Sequence, residues 1–105
     1  AMHDCRVLAG GDARRWNRLV DKMQSAHLQL RETSQGRDGI TSLIGDECLT
    51  VRQWSATNAL AWAPLQARAE LAREVEEGGP VAFEAQLTLR EFDAGRLDTA
   101  WNPKA

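Results

Sequence analysis

Two histidines, two cysteines, a short acidic run and two glycine pairs are the parts of this 105-residue chain whose types could do chemistry. Nucleophilic catalysis needs a serine or cysteine beside a histidine that a carboxylate orients, and the sequence has no Gly-x-Ser-x-Gly elbow and no local cysteine signature. Cys5 and Cys48 stand 43 residues apart, with no Cys-x-x-Cys spacing and no neighbouring histidine pair. Neither a zinc site nor a redox motif is signalled, and two free thiols in a reducing compartment are expected. His27 falls in an apolar helical stripe, where a histidine is expected to be a core residue bonded to a carbonyl or hydroxyl. His3, close to the N-terminus, carries less weight. Ser55 and Thr57 are buried-helix residues by pattern. Glu74, Glu76 and Glu77 precede a Gly-Gly break, where acidic groups oppose the helix dipole and are expected in water. Gly10-Gly11 and Gly78-Gly79 precede helices as phosphate loops do, yet neither follows a strand or carries a Gly-Lys-Ser/Thr signature, so both are expected to be hinges. No catalytic, metal-ligating or cofactor-binding set remains, and the expectation is a non-enzyme that needs no cofactor.

The elements that would carry these residues are helices. After Gly10-Gly11, Asp12 can cap a first helix reaching about Thr33, because its side chain accepts the free N–H groups of a first turn. Trp16, Leu19, Val20, Met23, His27 and Leu30 form its apolar stripe, and Ser34-Gln35-Gly36 is expected to end it, Gly36 serving as the C-cap. A short second helix, about Arg37 to Ile44, stops at Gly45. A third, Leu49 to Trp62, has Arg52 as its one charge and is expected at the centre of the domain. Pro64 opens a fourth, about Pro64 to Glu77, with Leu65, Leu71, Ala72 and Val75 inward and Arg68, Glu70, Arg73, Glu74 and Glu76 in water. Pro80 starts a fifth, to about Ala94, with Val81, Ala82, Phe83, Ala85, Leu87, Leu89 and Phe92 inward and Gly95 closing it. No stretch alternates apolar and polar residues between turn signals, so the predicted fold is all-α.

With 43% hydrophobic and 27% charged residues the chain suits one folded domain. We divide it into an N-terminal extension or cloning remnant (1–11), a single helical domain (12–97) and a C-terminal tail (98–105), in which Trp101 either docks or belongs to a loose end. Thirteen basic against fifteen acidic side chains give a net charge of -2, which removes the cheapest support for nucleic-acid binding. No run approaches the ~20 apolar residues of a membrane span, and no signal segment opens the chain, so a soluble cytoplasmic protein is expected. Arg14, Arg15, Arg18 and Lys22 form a basic patch on the outer face of the first helix, interrupted by Asp12 and Asp21. A solvated face accounts for it, and a partner or phosphate surface is the functional alternative.

The segment from Leu43 to Leu60, with Asp46 in its turn, then Val51-Arg52 and a closing Leu60, resembles a HEAT repeat. The spacing of Val51, Ser55 and Ala59 is answered by Val81, Ala85 and Leu89. Residues 12–97, with the Val-Arg-x-Trp-Ser-Ala-x-x-Ala-Leu helix and the Phe-Glu-Ala-Gln-Leu-Thr-Leu-Arg-Glu-Phe-Asp-Ala-Gly ending, also look like a small bacterial family of HEAT-like helical domains known as DUF2019. The resemblance implies an α-α superhelix of HEAT/armadillo type and brings no catalytic residues. It also implies that Asp46 and Arg52 form a structural pair across the stack, since a charge on an apolar helix needs a partner. The functional expectation is a protein–protein interaction module, adaptor or immunity-like, with an unknown protein partner. The alternative is a nucleic-acid-binding HEAT-like protein using the basic face of the first helix.

Overall fold

Helix α1 spans Ala13–Leu30, and the computed structural model describes residues 13–103. The Asp12 cap, Gly10-Gly11, His3, Cys5 and the side chain of Trp16 lie outside the described residues. Thr33 then caps helix α2, Ser34–Ser42, by accepting the Gly36 N–H on Oγ1 at 3.0 Å. This corrects the expected junction: the Ser34-Gln35-Gly36 stretch opens the second helix instead of closing the first. A threonine hydroxyl with a free helical N–H three residues on is a sufficient start signal. Gly36 is needed for another reason, because a Cβ there would lie 1.9 Å from the Leu30 carbonyl oxygen.

A 3-10 turn, Leu43–Gly45, leads to Asp46, whose Oδ2 accepts the Cys48 N–H at 2.9 Å in the turn before helix α3, Leu49–Ala59. Helix α3 is shorter than its apolar run. The N–H groups of Ala61 and Trp62 reach back only three residues, to Asn58 and Ala59, as the chain tightens before Pro64, whose ring disfavours a helical residue ahead of it. Helix α4, Pro64–Glu77, has the predicted bounds with proline in its first turn. Gly78 and Gly79, with φ of 70° and 89°, reverse the chain into helix α5, Ala82–Asp93.

The fold is all-α, with no β-strand among the described residues. Consecutive helices pack on one another in order, and α4 lies between α3 and α5. The core joins Ile44, Ala56, Ala59, Leu60, Ala67, Leu71 and Ala85, with Trp62, Val75, Leu89 and Phe92 against it. Its alanines let helices α3, α4 and α5 approach closely.

Burial departs from expectation on three helices, and on α1 Leu19 and Leu30 of the apolar stripe are exposed. Leu65 and Phe83 are 87% and 72% exposed, and Leu87 is exposed as well, whereas Glu70 and Glu74 are buried. On α4 the buried positions are Ala67, Glu70, Leu71 and Glu74, at i, i+3, i+4 and i+7, and Leu65 stands outside that stripe. Helix geometry decides which side chains enter the core, and the two carboxylates stand on the inward face whatever their polarity.

Cys48 is buried and disulfide-bonded, and no free cysteine occurs among the described residues. The expectation of two free thiols is overturned, and the case for a reducing compartment falls with it. Sequence distance constrains a disulfide little, since pairing requires only that the two Cα atoms come within ~7 Å. No helix of the described chain is long and apolar enough to cross a membrane.

Candidate functional site

A relay of side chains on one face of α1 ties the C-terminal tail to the body. Residues 96–102 form neither helix nor strand. Gln24 Nε2 donates to the carbonyl oxygens of Thr99 and Trp101, at 2.9 and 2.8 Å. Two carbonyls two residues apart turned to one side are the mark of an extended chain. Arg31 adds a bond from Nη1 to Thr99 Oγ1 at 3.3 Å. With its two N–H groups committed, Gln24 presents Oε1 to His27 Nδ1 at 3.3 Å, while Arg31 Nη1 lies 3.2 Å from His27 Nε2. His27 therefore donates through Nδ1–H and accepts at Nε2, which is the neutral tautomer. It is fully buried, edge-on to Trp54 and stacked on Trp62, and the Arg31 guanidinium lies over the Trp62 ring. Burial first, and the Arg31 charge second, push His27 down to about 4. The expected core histidine is present, bonded to the side-chain carbonyl of Gln24 and, beyond the expectation, to a guanidinium.

Between α1, α3, the start of α5 and this tail lies a cleft of about 370 Å3. Thr50, Gln53, Trp54, Thr57 and Asn58 form its floor along one face of α3, Val20 and Gln24 one wall, and Leu97 to Thr99 and Trp101 another, with Val81 and Glu84 at the α5 end.

Behind the floor, at the α3–α4 contact, is a charge cluster in which the glutamates are buried and the arginines half-buried. Arg52 grips Glu70 through Nη2 at 2.5 Å and Nε at 3.2 Å, and Arg73 grips the same carboxylate at 2.6 and 3.1 Å. This corrects the expected Asp46–Arg52 pair. Asp46 is used in the turn before α3, and Arg52 reaches the carboxylate that α4 carries inward.

Burial pushes Glu70 up, but the hydrogen bonds from Arg52 and Arg73, and one shared with Glu74, overcome it and hold Glu70 down to about 2. Glu74 moves the other way. Burial, then the hydrogen bond and charge of Glu70, push it up to about 8, against Arg73 and Gln53. Gln53 Nε2 reaches Glu74 Oε1 at 3.3 Å, and Oε2 meets no N–H donor, as befits a neutral carboxyl.

These shifts predict a pH profile. From pH 8 down to about 6.5 the folded state alone protonates Glu74, so stability rises as pH falls. Between about 6.5 and 4.5 the unfolded state alone protonates His27, which opposes the Glu74 effect and gives a plateau. Below 4.5 Glu70, and His27 down to about 4, favour the unfolded state, and stability falls. Melting temperatures across pH 3 to 9 are the check, and Glu74→Gln is expected to flatten the alkaline limb and, leaving His27 unopposed, to turn the plateau into a slope on which stability falls as pH falls.

Arg14, Arg15, Arg18 and Lys22 are all exposed on α1, with Asp21 also exposed among them. They lie apart from the cleft lining. No cluster of three His, Cys, Asp or Glu able to hold a metal occurs among the described residues. Glu76 and Glu77 are exposed as expected, whereas Glu74 is not. Gln24, Gln53, Glu70 and Glu74 are site residues that reasoning from residue type overlooks; their positions in the buried helical stripes were the available signal. Compared with family models, curated proteins and solved structures, the chain matches none.

Proposed function

We propose that the chain is a non-enzymatic protein-binding module that takes an extended peptide segment of a partner in the cleft between α1 and α3. One observation carries this reading: the cleft already has an extended peptide along its wall, the chain's own residues 97–101, gripped through main-chain carbonyls by Gln24. Main-chain contacts hold an extended segment whatever its sequence, and alternate side chains then reach different walls for specificity. The in-order packing of the helices supports treating the body as a short α-α superhelix of HEAT type, whose concave side would carry such a cleft. An adaptor or immunity-like role is part of this proposal by analogy with small helical-repeat domains.

The test is panning random dodecapeptides on phage against the immobilised full chain. Enriched peptides are expected to lose affinity by at least roughly tenfold on Thr57→Trp, which fills the cleft from its floor. No enrichment, or equal binding to both proteins, overturns the reading. Exposure of Arg14, Arg15, Arg18 and Lys22 on α1 favours a second reading, phosphate-backbone binding. It requires salt-sensitive binding of a DNA duplex, tighter than micromolar at physiological ionic strength, that is lost when the three arginines are replaced together.

A further inference from the structure

The cleft floor has a polarity that the tail does not explain. Gln53 spends its amide on Glu74 Oε1 and the Val81 carbonyl, at 3.3 and 2.9 Å, which leaves Oε1 as an acceptor that no described residue uses. Asn58, in the cleft lining, is only 4% exposed and gives its amide to the Trp54 carbonyl at 3.1 Å; its Oδ1 likewise accepts from no described residue. Trp54 lies between these two amides on the same helical face. Asp98 and Glu84 bring carboxylates to the rim, and no lysine or arginine is among the described lining residues. Acceptors beside an indole ring, under a rim with carboxylates, suit a ligand group that has donors only, and the charged side chains of that kind are guanidinium and ammonium.

We propose that this floor is a subsite for a cationic side chain, arginine or lysine, of the bound peptide, seated against Trp54 and donating to Gln53 Oε1 and Asn58 Oδ1. The inference rests on the reading of the cleft as a peptide site and adds the chemistry of the residue recognised. Asp98 supplies charge from the tail itself; its Oδ1 also accepts the Ala100 N–H at 2.9 Å, an interaction that an asparagine would retain.

The test titrates the full chain with three blocked pentapeptides that share alanine at every position except the centre, which is arginine, lysine or citrulline. Citrulline keeps the shape of arginine and loses its charge. Proton–nitrogen spectra follow the Trp54 indole and the side-chain amides of Gln53 and Asn58. Both cationic peptides are expected to move these signals and to bind roughly tenfold more tightly than the citrulline peptide. That preference is expected to shrink to about twofold in Asp98→Asn/Glu84→Gln. Equal binding of arginine and citrulline peptides overturns the subsite, as do shifts confined to the exposed acidic end of α4 at Glu76 and Glu77. If the panned dodecapeptides still depend on the cleft while arginine and citrulline bind alike, the peptide site stands and the cation subsite falls.

Discussion

Gly36→Ala is expected to destabilise the chain by at least ~3 kcal/mol, although alanine is the better helix former by ~1 kcal/mol. Gly36 lies inside α2 and is buried. The added Cβ would meet the Leu30 oxygen at 1.9 Å, its carbonyl carbon at 2.6 Å and its Cα at 2.8 Å. All three are main-chain atoms at the end of α1, so no rotamer change relieves the contact. The whole end of α1 would have to lift from α2, and with it Arg31, which serves both His27 and Thr99. Gly39, three residues on in the same helix, is exposed and has nothing within 4 Å of its Cβ position. Gly39→Ala is therefore expected to stabilise by about 0.5 to 1 kcal/mol, the propensity difference with no contact against it. Urea unfolding of the two variants should give shifts of opposite sign. A Gly36→Ala protein within 1 kcal/mol of the parent would refute the α1–α2 contact.

The same junction marks where sequence and structure part. Helix α4 was legible to the residue because Pro64 and Gly78-Gly79 punctuate it and no competing signal intervenes. At residues 33–36 two signals compete, a threonine cap and a glycine stop, and only the packing of Leu30 decides between them. Glu70 and Glu74 were legible by period and illegible by type. Their spacing put them on the inward face, but burying a carboxylate requires partners, and Arg52 stands 18 residues away on another helix. The cleft was the least legible part, since the Gln24 bonds that seat the tail span 75 and 77 residues. Nothing local in either segment signals such a contact. Phe83 and Leu65 show the converse, apolar residues placed outward because their helical positions face solvent.

Arg52→Ala is expected to cost about 3 kcal/mol, near the lower end for removing one partner of a buried pair, because Arg73 keeps its hold on Glu70. Glu70 is 6% exposed and accepts four guanidinium N–H groups, two from each arginine. Arg73 cannot take over the lost share, since it also pairs with Glu77. Arg18→Ala, on the exposed face of α1, is expected to change stability by under roughly 0.5 kcal/mol. The loss at position 52 has a pH signature that mere truncation would lack. Without Arg52 the folded Glu70 takes up a proton more readily, so near pH 4 it is neutralised and the penalty for stranding its charge shrinks. The difference between parent and variant in urea midpoint should therefore be larger at pH 7 than at pH 4. Arg52→Lys keeps the charge and loses the paired geometry, and should fall between the two. A pH-independent loss, or one no greater than that of Arg18→Ala, would mean that Arg52 does not hold Glu70 in solution.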